Sequence, residues 1–487
     1  MKRFDLVLAA AILPVAIQGS AANLDSLTPL RWPGGPLAVA QRSASAPASP
    51  EVASALGRWY QPWSLDLLPD TPFNCVIVTW AGDNAGAGLE REQHRIVREY
   101  AAQAHQRGIA VMGAASSPAA LSRTAADAED AGLDALVLEG GGADLAQAAA
   151  SKLPVVVLPK AATAPGVRLF SEGGAVQATP TSEPWLDSNL WLVSLLKARG
   201  AGPAWLGYKL EASSASDYTR AIADAAAAGG HWVVAPDDAL LTGLASGAPQ
   251  AKTLWRQIAT VAQFFEKHTD WRRFQPAGPL GILQPANDAG DENLNLIARR
   301  RIPYRLLDRA ALIGPDLAGF SAVLALGCAL SDGEKAALTR FAQKGGLAIV
   351  GPDWGGTVPK EKDFEVRPTG EGRIAVYRDE EPDPEALSKD VLYLMGKDHL
   401  GIRLFHAVTV LPVVREDPGG RQLLIQLVNY ASLPAETVTL RLAGDYRRAR
   451  LYGLDGAPVE LELEKSDHVT QLKLATVPVY SAVVLER

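Results

Sequence analysis

Two glutamates in this chain stand where short apolar runs end. Glu139 closes Ala135-Leu136-Val137-Leu138, and Glu211 follows Tyr208-Lys209-Leu210. Two carboxyl groups brought face to face are the equipment for cleaving a glycosidic bond. One, protonated, gives its proton to the leaving oxygen; the other, ionised, attacks the anomeric carbon or activates water, at about 5 to 5.5 Å for retention and roughly 6.5 to 9.5 Å for inversion. On this reading Glu139 is the acid/base and Glu211 the nucleophile or base. A plainer reading stands beside it. A glutamate at a strand end is often solvated or caps a turn, here Gly140-Gly141-Gly142, and Glu211 equally suits the loop before a helix at Asp217, for which Ser213 to Ser216 offer caps.

Sugar recognition calls for aromatic faces and for hydroxyls held by Asp, Asn and Glu. The stretch Thr179-Pro180-Thr181-Ser182-Glu183-Pro184-Trp185-Leu186-Asp187-Ser188-Asn189 has that composition, and Glu183, Trp185, Asp187 and Asn189 are its candidate contacts, with Asp187 as a reserve acid or base. Trp80 and Asp83, in Thr79-Trp80-Ala81-Gly82-Asp83-Asn84, repeat the pattern on a smaller scale, and Tyr208 joins them. The competing role for Asp187 or Ser188 is to cap the next helix while Trp185 packs under a rim. Other chemistries fit less well. The seven histidines show neither His-Glu-x-x-His nor Cys/His ligand spacing, so neither metal nor cofactor is expected. Cys328, in Leu326-Gly327-Cys328-Ala329, sits where a glutamine amidotransferase nucleophile would, but Leu330 breaks the Gly-x-Cys-x-Gly elbow and a structural cysteine is expected. The turn after Glu139 lacks the third glycine and the lysine of a phosphate cradle.

Positioning these residues needs a scaffold. From residue 36 to 235, β-branched runs alternate with Ala-rich helical stretches, the signature of a parallel sheet. Eight strands are expected, at 37–40, 75–80, 109–113, 135–139, 155–160, 175–179, 204–210 and 231–235, which is the count of a (β/α)8 TIM-like barrel, with an open doubly wound sheet as the rival. Glu139 and Glu211 then end strands four and seven, on facing sides of the mouth where such barrels build their sites. A second α/β block follows, with strands at 279–284, 304–307, 322–326 and 347–350 and a helix opened by the capping-box pair Ser331 and Glu334; its size suits a flavodoxin-like sheet. From His406 onward, alternating runs between turns read as a β-sandwich. The expected organisation is residues 1–22 as a signal peptide, 23–275 as the barrel, 276–400 as the flavodoxin-like domain and 401–487 as the sandwich.

That order resembles the glycoside hydrolases of family 42, β-galactosidase-type enzymes built from a barrel, a flavodoxin-like domain and a C-terminal sandwich. The stretch Asp217 to Ala235, with Tyr218, Ala221, Ala225, Gly229, Gly230 and His231, is similar to the last helix and strand of such barrels. The resemblance covers most of the chain at the level of architecture. The barrel here is more compact, and the Asn-Glu pair those enzymes carry after strand four is Leu138-Glu139. Self-association as a homo-oligomer through the small α/β domain is implied by the resemblance alone.

Composition sets the outer limits. The 487 residues are 48% hydrophobic and 21% charged, with a net charge of −7, so the basic field that binds nucleic acid is missing. Lys2 and Arg3 before the apolar run Leu6 to Ile17, then Gly19 to Ala22, read as a secretory signal too short to span a bilayer, so a secreted or periplasmic protein with no integral membrane span is expected. Cys75 and Cys328, the two cysteines, fall in different predicted domains and do not suggest a disulfide framework. The expectation is a secreted glycoside hydrolase acting through two carboxylates; the alternative is a noncatalytic carbohydrate-binding or assembly protein on a degenerate barrel.

Overall fold

The structure, a computed structural model, describes residues 23–45, 49–83, 86–141, 152–172, 175–177, 183–200, 202–211, 213–284, 289–313 and 315–487. The expected signal at 1–22, Asn84, the Gly142 end of the glycine-rich turn and Thr179 to Ser182 lie outside the described residues.

Strands β1 (Pro29–Trp32), β2 (Cys75–Ala81), β3 (Ala110–Ala115), β4 (Ala135–Gly141) and β5 (Val155–Pro159) form a parallel sheet in that order. Two short parallel strands, β6 (Trp205–Leu206) and β7 (His231–Trp232), pair with each other. The chain just past β7 returns to β1: Leu30 bridges Val234, and the Arg31 N–H donates to the Val234 carbonyl at 2.8 Å. Between β5 and β6 the ring is held by packing. A Cβ on Gly207 would lie 2.6 Å from Leu158 Cδ1, so glycine permits that approach. Among the described residues, seven parallel segments curve around an inner core that includes Cys75, Ile77, Met112, Val137, Leu158 and Trp205.

Period-two alternation explains why these strands read as continuous apolar runs. Cys75 and Ile77 fill the inner core, while Val76, Val78 and Trp80 face the helices outside. Those helices are α1 (Gly35–Ser45), α2 (Pro50–Arg58), α3 (Ala87–His105), α4 (Pro118–Asp130), α5 (Leu190–Arg199), α6 (Ala215–Ala227), α7 (Asp238–Ser246) and α8 (Pro249–Lys267). α3 buries Val97, Tyr100, Ala101 and Ala104 at helical spacing, and α6 opens on the capping box of Ser214 and Asp217.

Two of the eight expected strands are corrected. Residues 37–40 lie inside α1, where Pro36 in the first turn and the Ala-rich run that follows favour a helix; the strand in that place of the ring is Pro29–Trp32. Ala175–Gln177 pairs with Phe170–Glu172 as a small antiparallel hairpin outside the ring.

The second body is a six-stranded sheet of β8 (Leu280–Leu283), β9 (Tyr304–Leu307), β10 (Ala322–Ala325), β11 (Leu347–Val350), β12 (Phe364–Thr369) and β13 (Gly372–Tyr377). Its order is β9-β8-β10-β11-β13-β12, parallel except for β12. Helix α9 (Ala289–Arg299) crosses from β8 to β9, and α10 (Asp332–Gln343) begins at the Ser331–Glu334 capping box. The C-terminal region is two antiparallel sheets of six and four strands, with Val410, Ile425, Leu440, Leu472 and Val483 packed between them. Gln275–Pro276, from the end of the barrel region, pairs with Arg415 and Glu416 at the edge of the larger sheet.

A buried carboxylate ties the barrel to that sheet. Asp224, on α6, accepts from Ser188 Oγ at 3.0 Å, from the Asn189 backbone and Nδ2 at 3.1 and 2.8 Å, and from the Tyr430 hydroxyl at 2.6 Å. Burial pushes its carboxyl above the usual range, against the pull of these donors. Replacing Asp224 by Ala strands donors from two bodies of the fold. The unfolding free energy in urea is expected to fall by roughly 3 kcal/mol, and an unchanged value would show that the joint carries no load.

His231 opens β7, where burial, then the charges of Arg272 and Lys197, push its imidazole from 6.5 down to about 3. The unfolded chain therefore takes up this proton near its ordinary value while the folded chain refuses it. Stability is complete above that value and is lost as pH falls toward the folded one, with a slope of at most about 1.4 kcal/mol per pH unit from this group. His231→Gln is expected to flatten that slope in acid-unfolding curves; an identical slope would remove His231 from the balance.

Candidate functional site

The C-terminal ends of the barrel strands open onto a cavity of about 800 Å³. Sequence explains how each charged group reaches it. In β1, Leu30 and Trp32 face the helices, so alternation turns Arg31 toward the mouth. Its Nε donates to Glu139 Oε1 at 2.8 Å, while Nη1 donates to the Ile77 carbonyl at 3.1 Å and Nη2 to Thr79 Oγ1 at 3.3 Å. Glu139 stands near the end of β4, where the register with β5 shifts between Glu139 and Gly141, and Gly140 at that shift holds φ of 75°, a conformation that favours glycine. The Arg31 side chain is 15% exposed and that of Glu139 40%, so the pair has one buried and one open end.

The loop from β6 to α6 brings Tyr208, Lys209 and Glu211 to the same cavity. The Tyr208 ring stacks on Trp232 at 5.5 Å, and burial raises its phenol well above the ordinary value. Glu211 is exposed at the rim. Asp237 and Asp238 begin α7 on another wall: Asp237 Oδ1 accepts the Leu240 N–H as an N-cap, and Asp238 pairs with Arg42 at 2.5 Å. The mouth is thus lined by interleaved charges of both signs, among them the carboxyl groups of Glu139 and Glu211.

Of the residues singled out from sequence, Glu139, Tyr208 and Glu211 line this one cavity, and six others do not. Trp80 points the other way because it neighbours Thr79, whose side chain faces Arg31. Its indole is buried in the helix layer and stacked on His94, with centroids 3.7 Å apart. Asp83 stands in an exposed turn, where the Ser117 hydroxyl at the N-cap of α4 donates to it.

Three of the remaining four serve the contact with the second body. Asp187 takes two hydrogen bonds from Arg168, at 2.9 and 2.7 Å, and lies 3.9 Å from Arg299 of α9. The Arg299 guanidinium sits 3.7 Å over the Trp185 ring, and burial lowers it to about 10. Glu183 lies 3.3 Å from Arg300. Asn189 is 1% exposed and belongs to the Asp224 joint. A loop rich in Trp, Asp, Asn and Glu suits guanidinium partners as well as sugars, and here Arg168 comes from 19 residues before Asp187 while Arg300 stands 117 residues from Glu183.

Cys328 is buried with its Sγ 3.3 Å from the Leu326 carbonyl. Burial pushes its thiol up to about 11, and the charged groups around it are Arg309, Asp353 and Glu334 rather than an imidazole. Cys75 is likewise a free, buried cysteine. Among the described residues, no three His, Cys, Asp or Glu side chains gather as a metal-ligand set, and no helix is long and apolar enough to cross a membrane. Sequence reading missed Arg31, Arg42, Lys209 and Asp238. For Arg31 the usable signal was the alternation Leu30-Arg31-Trp32 behind a proline.

No protein-family model matches the chain, and no curated protein matches it in sequence. Its fold is nonetheless shared. α-L-Fucosidase isoenzyme 2 from Paenibacillus thiaminolyticus superposes with a TM-score of 0.54 at 11% identity, covering 88% of this chain and 96% of that one. Two looser likenesses are an exo-β-1,4-mannosidase from Opitutaceae bacterium strain TAV5, with a TM-score of 0.45, 10% identity and coverage of 76% and 97%, and a family 42 β-galactosidase from G. stearothermophilus, with 0.34, 10%, 83% and 69%. At those two scores neither bears on the fold. The first shows that the architecture of this chain, a barrel-type parallel sheet followed by further sheet domains, is one on which a glycoside hydrolase is built.

Proposed function

We propose that the protein is a glycoside hydrolase that works from the barrel mouth, with Glu139 as the charged carboxylate and Glu211 as the proton donor. The observation that carries this reading is the 2.8 Å pair of Arg31 with Glu139 inside a cavity that also holds Glu211. To protonate a leaving group, Glu139 would have to give up Arg31; to attack the anomeric carbon or to deprotonate water, it would not. The roles are therefore the reverse of those expected from sequence. Glu211 stands on an exposed loop at the rim of the same cavity. Lys209 and the Arg42–Asp238 pair supply hydrogen bonds for hydroxyls, and the Tyr208 ring offers an apolar face.

The strand order β9-β8-β10-β11 supports reading the second body as a flavodoxin-like accessory domain. The basic and then apolar residues 2–17 support export, which would put the glycan outside the cytoplasm. The second reading is the noncatalytic carbohydrate-binding or assembly protein, in which the Arg31–Glu139 pair holds hydroxyls without cleaving a bond.

A panel of chromogenic glycosides separates the two. Wild type is expected to turn over at least one member, and Glu139→Gln and Glu211→Gln each to lower kcat by about 100-fold or more. Arg31→Met is expected to lower kcat while leaving KM nearly unchanged. Full turnover in both glutamine variants would overturn the carboxylate assignment, and glycan binding by a wild type that cleaves nothing would establish the second reading.

A further inference from the structure

Away from the mouth, near the N-terminal end of β7, the three bodies enclose another cavity of about 560 Å³. Five cations line it, namely Lys197, Arg272, Arg301, Arg305 and Arg415, and no Asp or Glu is among its lining residues. Each body contributes: Lys197 comes from α5, Arg305 from β9, and Arg415 from the edge of the C-terminal sheet.

The positive charges are crowded. Lys197 Nζ and Arg415 Nη1 both lie 2.9 Å from the point that a Cβ on Gly229 would occupy, so they stand within about 6 Å of each other, the range in which like charges disfavour one another. Burial, then Arg415 and Arg272, hold the Lys197 ammonium below its usual value. Nearby acids relieve part of this. Glu266 pairs with Arg272, Asp25 acts on Lys197, and Glu183 acts on Arg301.

Arg415 is different. It is 4% exposed, its Nε meets no acceptor, and no acid offsets the burial that lowers it to about 10. Among the described residues no hydrogen bond or ion pair reaches its guanidinium. A buried, unpaired guanidinium is costly in isolation, whereas an arginine fork with neighbouring cations is the arrangement that takes an oxyanion through two parallel hydrogen bonds.

We propose that this cavity binds a small oxyanion-bearing ligand, a carboxylate, sulfate or phosphate, with Arg415 at its floor and Lys197 and Arg272 closing over the charge. The site is separate from the barrel mouth and does not rest on hydrolase activity. Its volume suits a small molecule, and the ring of Phe320, with Arg305 stacked 3.6 Å above it, gives the ligand an apolar wall. The same oxyanion chemistry is found in a free inorganic anion and in an acidic sugar, and the test separates them.

The full chain is followed by thermal unfolding and by calorimetric titration with sodium sulfate, sodium phosphate and sodium glucuronate, against sodium chloride at matched ionic strength. A saturable rise in Tm beyond the chloride control is expected with at least one of the three. Saturation with sulfate or phosphate alone identifies a free anion, and tighter saturation with glucuronate identifies an acidic sugar. Lys197→Gln is expected to weaken the apparent affinity by about tenfold. Arg415→Met is expected to abolish the saturable response and to raise Tm in the absence of ligand, because an uncompensated buried charge is gone. Should that variant not fold, the double variant Lys197→Gln with Arg272→Gln carries the test through loss of the response. The proposal is overturned if none of the three anions exceeds chloride, or if these variants respond as wild type does.

Discussion

One parallel bridge, Leu30 to Val234, completes the ring of strands and determines what stands at its mouth. It seats Pro29–Trp32 between the second strand and the last. Alternation then leaves Leu30 and Trp32 against the helices and Arg31 over the opening. From there Arg31 spans three elements at once, bonding the Ile77 carbonyl, Thr79 and Glu139. The candidate site is therefore a consequence of ring closure. A slip of one residue in that pairing would bury a guanidinium under the helices and deny Glu139 its partner.

Polar groups do different work at three depths. At the mouth, both signs of charge are interleaved and open to solvent, an arrangement suited to a neutral, hydroxyl-rich ligand. At the joint with the C-terminal sheet, the Asp224 carboxylate is buried and surrounded by donors, so it specifies how the bodies meet. At the junction of the three bodies, positive charge accumulates around a void without matching acids on its walls. Arg299 and Arg300 of the second body meet the 183–189 loop through Asp187, Trp185 and Glu183, so that contact pairs opposite charges, whereas no acid offsets the burial of Arg415 at the void.

Much of the scaffold was legible in the sequence because local patterns and tertiary demands agree there. The runs at 75–81, 111–115 and 135–138 are almost wholly apolar, and both faces of those segments are buried. The Ser331–Glu334 box opens its helix as local chemistry dictates. Pro29–Trp32 was not legible as a strand, since four residues containing a proline and an arginine lack the apolar continuity of its neighbours, and its pairing with β2 and Val234 is wholly long-range. Of the site, Glu139, Glu211 and Tyr208 could be read as residues at strand ends. Arg31 left only the short alternation Leu30-Arg31-Trp32 as a signal, because its role depends on which strand stands beside which. The loop at 183–189 misled for a related reason: composition reports what a segment can bind, and only the fold reports that its arginine partners arrive first.

The account turns on Arg31 and Glu139 acting on one another across the mouth. A double-mutant cycle of Arg31→Met and Glu139→Gln, read as unfolding free energy in urea, measures that directly. A coupling of about 1 kcal/mol is predicted, at the upper end for a pair with one solvent-exposed member. Single-variant effects that sum to the double variant within error would mean that the two side chains do not interact, and would contradict the account.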